Sequence, residues 1–360
     1  MTSGNKMKKI YVLVALLAFA VAACKDDDNG IEGNVPAVVT EEFDEAFARE
    51  LFNRGYITDP QDIAKIKEEV AGITELDVSD KPNNGELTSL KGIEYFSSLR
   101  RLVCSGNKLT ALDVSCNTAL DYLDCNNNNL TELDVSSNTK LEYLNCYYNN
   151  NLTGLDVSGC TALTELQCNS NNLTGLDVSS NTKLQSLTCS YNNLTELDVS
   201  SNTELEYLSC TFNNLTELDV SSNTKLVYLY CYNNALTTLD VSRNTALMQL
   251  SCDYNKLTEL DVSNNTALTQ LWCHYNKLTE LDVSNNTALT KLWCYNNNLT
   301  ELDVSNNIAL TLLQCYGNPG SGGVFTVEAW FDDTTVPSGG FTTNPWEYNG
   351  STVTIHYQKK

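Results

Sequence analysis

The stretch YLSCTFNNLTELDVSSNTKLV at residues 207–227 is followed directly by YLYCYNNALTTLDVSRNTALM at residues 228–248. Its tetrapeptide LDVS recurs every 21 residues, with one step of 22 where an extra Asn follows Asn149. LDVS begins at Leu112, Leu133, Leu155, Leu176, Leu197, Leu218, Leu239, Leu260, Leu281 and Leu302. A repeat of this length forms one turn of a solenoid. We therefore predict a solenoid whose long exposed face is a binding surface rather than a catalytic pocket.

A ladder of cysteines runs in phase with LDVS. It consists of Cys104, Cys125, Cys146, Cys168, Cys189, Cys210, Cys231, Cys252, Cys273, Cys294 and Cys315. The combined repeat is L-x-x-L-x-C-x-x-N-x-L-T-x-L-D-V-S-x-N-T-x, and its first eleven positions follow the leucine-rich-repeat pattern with Cys replacing a Leu. We expect a short strand near L-x-C in each repeat, stacked in parallel about 4.7–4.9 Å from the next.

The joint phasing of the cysteines and LDVS resembles the internalin group of leucine-rich-repeat proteins, which includes members with a cysteine ladder. It also resembles leucine-rich-repeat lipoproteins of Bacteroidetes. The resemblance covers roughly residues 73–318. It implies a leucine-rich-repeat solenoid with a parallel β-sheet on the concave face, 21-residue repeats, a helical N-terminal cap and a small β-rich C-terminal cap. It is far less specific for function.

The N-terminal residues predict an exported protein. Three lysines precede an apolar run, Ile10–Ala23, that is too short to span a bilayer and fits a signal peptide at residues 1–23. The run ends in VAAC, which resembles a bacterial lipobox and predicts lipidation of Cys24. An ordinary signal with a nearby Cys is the alternative.

The residues after Cys24 predict a membrane-anchored tether at 24–40. Lys25-Asp26-Asp27-Asp28 resembles the acidic surface-export signal of Bacteroidetes lipoproteins, although an ordinary acidic linker has the same composition. The internalin cell-wall sorting motif is replaced here by the lipobox. We therefore expect a lipid anchor in the outer membrane, with the chain exposed at the cell surface.

Residues 41–72 predict a helical N-terminal cap, because Phe43, Phe47 and Leu51 fall on one helical face. The loop at residues 53–59 lacks the alternating acidic ligands of a calcium-binding loop, so we predict no calcium there. The regular repeats extend the solenoid over 73–318. Residues 319–360 contain two clusters of β-formers and predict a small C-terminal cap, with a separate binding module as the alternative.

Composition argues against several classes of function. The net charge of −23 disfavours nucleic acid and anionic lipid surfaces as partners. The chain has two histidines, no glycine-rich phosphate loop and no Ser-His-Asp arrangement, so we predict no enzyme, no cofactor and no metal site. The Asp of each LDVS forms a column that we assign to structure, with cation binding along the column as the alternative.

We expect the ladder cysteines to be reduced and buried. Stacked side chains in a parallel column point the same way, and the strand spacing exceeds the roughly 3.5–4.5 Å between Cβ atoms in a disulfide. A buried thiol then acts as a small hydrophobic group. The asparagines that follow each strand are expected to satisfy backbone groups in the bend and in neighbouring turns.

The variable positions flank each Cys on the predicted concave face, where aromatic residues concentrate in the C-terminal half. We expect an exposed ligand-binding patch there, although β-strands also favour aromatics for structural reasons. The candidate residues are Tyr228, Tyr230, Tyr232, Asp253, Trp272, His274, Trp293 and Tyr295. We predict a monomeric adhesion or host-interaction protein that binds an extracellular protein or a glycan. A structural envelope spacer is the alternative.

Overall fold

The structure, a computed structural model, describes residues 42–79 and 87–360. The predicted signal peptide, the lipidation residue Cys24 and the tether at 24–40 lie outside the described residues. The first elements are two helices, Glu45–Asn53 and Ile63–Val70. Each begins after an Asp whose carboxylate accepts a backbone N–H, as Asp44 does from Phe47 at 2.9 Å. Both helices bury their apolar faces over the first turn of the solenoid.

Twelve short strands form one parallel sheet along the chain. They are Glu75–Asp77, Arg101–Val103, Tyr122–Asp124, Tyr143–Asn145, Glu165–Gln167, Ser186–Thr188, Tyr207–Ser209, Tyr228–Tyr230, Gln249–Ser251, Gln270–Trp272, Lys291–Trp293 and Leu312–Gln314. Equivalent residues of successive repeats pair, as Leu229 does with Leu250. The central Leu of each strand is buried and its neighbours point outward. We call the outward-pointing side the sheet face.

The LDVS half of the repeat forms further strand pairs, which are fewer and lie outside the twelve-stranded sheet. Glu132–Asp134 pairs there with Gly154–Asp156. Near the C-terminus, Glu301–Asp303 starts a four-stranded sheet that continues with Val324–Ala329, Ser351–Lys359 and Trp346–Tyr348. A 3₁₀ turn, Ile93–Tyr95, lies in the first repeats. The leucine-rich-repeat solenoid that the 21-residue period predicts is thereby confirmed.

The C-terminal strands cover the end of the solenoid. Phe325, Val327 and Tyr357 are buried there. The Trp346 indole donates to the backbone oxygen of Asn318 at 2.8 Å, and the Lys360 ammonium lies 2.7 Å from the carboxylate of Asp303. The segment therefore extends the LDVS-side sheet and shields apolar side chains that the last repeat would otherwise expose.

The core consists of columns in which each residue type stacks on its own copy. The central leucines of the twelve-stranded sheet, the LDVS valines and all eleven ladder cysteines are buried. The ladder cysteines are reduced thiols, as predicted. Burial raises the pKa of the Cys146 and Cys210 thiols to about 12, because the thiolate form loses its hydration. The ladder therefore behaves as a neutral apolar column at physiological pH.

One asparagine column closes the bend after each strand. In Asn213, the amide nitrogen donates to the carbonyls of Cys210 and Cys189, each at 3.1 Å. Its oxygen accepts the backbone N–H of Leu194 at 3.0 Å. The amide thus joins two turns, and nearly the whole column repeats this pattern. The expectation that these amides satisfy backbone groups in the bend and in neighbouring turns is confirmed.

A second asparagine column follows LDVS and uses only its donors. The Asn202 amide nitrogen donates to the carbonyls of Val178 and Asn181, each at 2.9 Å, while its oxygen has no partner. Cys160 takes this place in one repeat, and its thiol donates to Val135 at 3.1 Å. The position therefore requires a donor rather than an amide, which explains why a Cys is tolerated there.

The LDVS aspartates have a local structural role. Each exposed carboxylate caps its own turn, as Asp198 does by accepting the backbone N–H of Ser200 at 2.9 Å. Hydrogen bonds from the Ser200 hydroxyl and backbone lower the pKa of Asp198 below its usual range. The ionised form is therefore favoured despite the neighbouring carboxylates of the column.

Replacing the donor of the second asparagine column tests its role. We expect Asn202→Asp to destabilise the protein by about 3 kcal/mol or more, because a carboxylate would face two carbonyl oxygens with no hydrogen to donate. Asn202→Cys should cost less, following Cys160. The thermal midpoints of both variants are the measurement, with the exposed Asn193→Asp as control. Equal midpoints for Asn202→Asp and Asn193→Asp would contradict the donor role.

The reduced state of the ladder predicts a simple thiol titration. With the chain folded at neutral pH, we expect the eleven ladder cysteines to resist a thiol-specific chromogenic reagent, because the buried thiols do not ionise. In denaturant all eleven should react. The thermal midpoint should not change when dithiothreitol is added. A midpoint that falls on reduction would reveal disulfides and overturn the assignment.

Candidate ligand-binding groove

A groove of about 460 Å³ lies on the sheet face in the C-terminal half of the solenoid. It is lined by Tyr207, Ser209, Tyr230, Tyr232, Ser251, Asp253, Trp272, His274 and Trp293. Six of the eight candidate residues line it, and the other two, Tyr228 and Tyr295, do not. The groove also includes Tyr207, Ser209 and Ser251, which sequence analysis did not select.

The groove arises from a contrast in side-chain size between consecutive repeats. Six of its residues occupy outward-pointing positions of strands that succeed one another along the sheet, and Tyr232, Asp253 and His274 directly follow the ladder cysteine of their repeats. The repeat with Ser251 and Asp253 carries small side chains, whereas the repeats on either side carry Tyr230 and Trp272 in register with Ser251. A depression therefore forms over the small repeat, with aromatic rings as its walls.

The aromatic walls support one another through ring contacts. Trp272 and Trp293 meet edge to face with ring centroids 6.1 Å apart. Tyr207 and Tyr230 form a tilted pair at 5.6 Å. The hydroxyl of Tyr230 also donates to the Gln249 side chain at 2.6 Å, which fixes the ring direction. These rings are half-buried rather than fully exposed, so the walls are preformed.

The expectation that Asp253 and His274 are exposed is wrong. Asp253 is only 6% exposed and His274 only 4%. Rings from adjacent positions cover the imidazole: Tyr295 stacks on it at 4.3 Å, and Trp293 approaches edge to face at 5.6 Å. Tyr295 thus acts as support for His274 rather than as part of the groove lining.

Asp253 and His274 form a buried pair. Nε2 of His274 lies 3.4 Å from Oδ2 of Asp253, and the Ser251 hydroxyl donates to Oδ1 at 2.5 Å. Burial raises the pKa of Asp253 to about 6 and lowers the pKa of His274 to about 4, because each charged form loses hydration. Near pH 7 the groove therefore contains an ionised carboxylate beside a neutral imidazole.

Three buried polar atoms of the groove residues have no hydrogen-bond partner. Outside the second asparagine column, the described residues contain three buried side-chain atoms without a hydrogen-bond partner. They are Nε1 of Trp272, Nε1 of Trp293 and Nδ1 of His274. A buried polar atom without a partner costs about 1–3 kcal/mol, so each of the three calls for an explanation.

An aromatic stripe borders the sheet face, two residues after the ladder cysteine. Tyr191, Phe212, Tyr254 and Tyr275 are exposed there with φ between 51° and 54°. Tyr191 stacks on Phe212 at 4.2 Å, and Tyr254 stacks on Tyr275 at 4.3 Å. These residues lie outside the strands, so β-propensity does not explain them.

The described part of the chain contains no group of three or more His, Cys, Asp or Glu side chains arranged to hold a metal ion. None of its helices combines the length and apolar character needed to cross a membrane.

The repeats are similar to those of known leucine-rich-repeat proteins. A family model described as Leucine Rich repeat matches residues 126–145. The functional domain of InlJ from Listeria monocytogenes, which includes a cysteine ladder, is 46% identical over 70% of this chain, with a TM-score of 0.66. The match spans only 55% of that InlJ domain. No protein with a curated description matches the chain in sequence.

More distant structures share the fold. The internalin InlF from Listeria monocytogenes is 24% identical, with 79% of this chain and 92% of InlF covered and a TM-score of 0.60. The ectodomain of the Arabidopsis thaliana receptor kinase GASSHO1/SCHENGEN3, solved with CASPARIAN STRIP INTEGRITY FACTOR 2, is 21% identical. That match covers 75% of this chain and 38% of the ectodomain, with a TM-score of 0.56.

The buried pair predicts opposing effects of pH on stability. The lowered pKa of His274 costs stability as pH falls from 6.5 towards 4, because only the unfolded state gains a proton. The raised pKa of Asp253 has the opposite effect between about 6 and 3.8, because only the folded state gains one.

Replacing Asp253 should reveal the effect of His274 on the pH dependence of stability. We expect Asp253→Asn to raise the thermal midpoint at pH 7.5, since a buried charge is lost, and to make the midpoint fall more steeply than in wild type between pH 6.5 and 4.5. Thermal melts across this range measure both effects. A lower midpoint for Asp253→Asn at pH 7.5 would indicate that the two side chains form a stabilising ion pair instead.

Proposed function

Since this chain is a leucine-rich-repeat protein similar to the internalin group, we propose that it is a surface-exposed bacterial lipoprotein that binds a protein or glycan ligand through the concave face of its solenoid, in adhesion or host interaction. The ligand contacts the groove between Tyr207 and Trp293. The predicted lipid on Cys24 would anchor the protein to the outer membrane, and the segment at 24–40 would serve as the tether.

The groove is the observation that carries this proposal. Its walls combine half-buried aromatic rings with a buried carboxylate and three unpaired polar atoms. Aromatic residues dominate the energetic centres of recognition surfaces, because they bury a large area with little loss of conformational freedom. A few fixed polar groups among such rings supply specificity. The groove has both components on preformed strands.

The solenoid supplies a rigid support for such a site. Successive strands fix the outward positions of neighbouring repeats in register, so a ligand meets side chains that are already ordered. The exposed stripe from Tyr191 to Tyr275 extends the apolar surface along one border of the sheet face. A ligand larger than the groove can use this stripe as an additional contact.

A stiff envelope spacer remains the competing proposal. A spacer needs only the columns of the core, and its sheet face has no reason to differ from one end to the other. Here the groove, with both sheet-face tryptophans and the three unpaired nitrogens of Trp272, His274 and Trp293, lies only in the repeats from Tyr207 to Trp293. The unequal distribution favours binding.

The proposal is tested by screening the purified protein against arrays of extracellular proteins and glycans, beside the Trp272→Ala/Trp293→Ala double variant. We expect at least one ligand whose affinity falls about tenfold or more in the double variant, because truncating buried aromatic anchors typically costs 2 kcal/mol or more. The thermal midpoint of each protein is measured in parallel to separate lost binding from lost folding.

The matched control is Tyr122→Ala/Tyr143→Ala. These two rings stack at 4.3 Å on the same sheet face but do not line the groove. The control double variant should retain the ligand. A ligand bound equally by all three proteins would move the site away from the groove, and a screen without any ligand would favour the spacer.

A further inference from the structure

The charge inside the groove is unbalanced. The Asp253 carboxylate is buried, and its neighbour His274 is neutral near pH 7 because burial lowers the pKa of the imidazole to about 4. In the described part of the chain, none of the nine lining residues is Lys or Arg. A buried carboxylate whose close contacts are the Ser251 hydroxyl, its own backbone N–H and a neutral ring has no cationic partner and is electrostatically under-compensated. The groove therefore favours a positively charged ligand group.

The walls favour the same kind of group. Five of the nine lining residues are Tyr or Trp. Their ring faces carry partial negative charge and attract ammonium or guanidinium groups. The net charge of −23 adds a long-range attraction for basic partners. The ligand charge favoured by the buried carboxylate, by the ring faces and by the net charge of the chain is therefore the same, and it is positive.

The sheet face already holds one guanidinium on an aromatic ring. The Arg101 guanidinium carbon lies 3.5 Å from the ring centroid of Tyr122, one repeat away. An outward-pointing ring on this sheet therefore accepts a planar cation on its face. The aromatic cluster at Tyr122 is supplied with a cation by the chain itself, whereas the groove is lined by none.

Building on the proposed binding function, we infer that the groove recognises an arginine side chain displayed on a basic segment of a partner protein. The guanidinium donates to the Asp253 carboxylate and lies against the faces of the tyrosine and tryptophan rings. Arginine fits better than lysine, because its planar fork matches a carboxylate and stacks on rings. A glycan stacks on the same rings but brings neutral hydroxyls and leaves the carboxylate charge unbalanced.

A peptide segment also offers acceptors for the unpaired donors. Its backbone carbonyls accept hydrogen bonds, and the indole nitrogens of Trp272 and Trp293 have no acceptor in the free protein. Both nitrogens are closed off from solvent, so pairing requires the rings to turn. The indole N–H signals of these two residues are therefore direct reporters of arginine binding.

The test uses two acetylated, amidated heptapeptides of sequence Gly-Gly-Ser-Xaa-Ser-Gly-Gly, in which Xaa is arginine or its uncharged isostere citrulline. Each is titrated into ¹⁵N-labelled protein while the indole N–H resonances are followed. Trp330 and Trp346 lie outside the groove lining and serve as internal references. N-acetyllactosamine is titrated as the glycan arm. The same series is repeated with Asp253→Asn.

We expect the arginine peptide to shift the Trp272 and Trp293 signals and to bind about tenfold or more tightly than the citrulline peptide, the difference typical of a charge-assisted hydrogen bond. Asp253→Asn should abolish that difference. Equal binding of the two peptides, or discrimination that survives Asp253→Asn, would overturn the inference. So would the absence of any shift at millimolar arginine peptide.

The outcome is separable from that of the proposed function. Binding of N-acetyllactosamine without binding of the arginine peptide would overturn the arginine site and leave a glycan-binding groove. A screened ligand that depends on Trp272 and Trp293 but presents no arginine would have the same effect. If the sheet face bound no peptide, no glycan and no screened ligand, both the arginine inference and the proposed binding function would be overturned.

Discussion

The constraint on which the structure depends is that each side chain stacks on a copy of itself. A constant period puts equivalent residues of neighbouring turns at the strand spacing of about 4.7–4.9 Å. Leucine side chains can stack at this spacing because they pack against one another. Buried cysteine side chains can do so because their thiols stay neutral and do not repel. Asparagine satisfies the same constraint by donating to the carbonyls of its own and the preceding turn, as Asn213 does. A charged column survives only at the surface, where each Asp also caps its own turn.

This constraint confines function to a few positions. The leucine, cysteine, valine and asparagine columns are committed to holding neighbouring turns together, so they cannot vary without cost. The outward-pointing side chains beside each ladder cysteine do not hold neighbouring turns together, so they can differ from repeat to repeat. The groove forms where outward side chains of neighbouring repeats differ in size, as at Ser251 between Tyr230 and Trp272. The groove is in this sense a local interruption of the repetition that builds the fold.

The same logic explains what the sequence could and could not predict. Period and phasing were enough for the solenoid, the buried thiols and the Asn213-type bridges, because these follow from the spacing of identical residues. The burial of Asp253 and His274 was not predictable from strand alternation alone. It depends on the rings that reach over them from the next repeat, such as Tyr295 over His274. A comparison of side-chain sizes between repeats at the positions beside Cys would have indicated Ser251 as the base of a depression.

The exposed aromatic stripe adds a separate argument against a purely structural sheet face. A strand favours aromatic residues for packing, so rings within strands alone do not distinguish binding from structure. Tyr191, Phe212, Tyr254 and Tyr275 instead adopt a left-handed backbone, which costs a residue with a Cβ roughly 1–2 kcal/mol. Other repeats place Asn127 or Asn233 there, residues suited to that conformation. Stacking between neighbouring rings, as of Tyr191 on Phe212 at 4.2 Å, offsets part of this cost. The rings nevertheless leave apolar area exposed, and this is the kind of surface that the proposed ligand would contact.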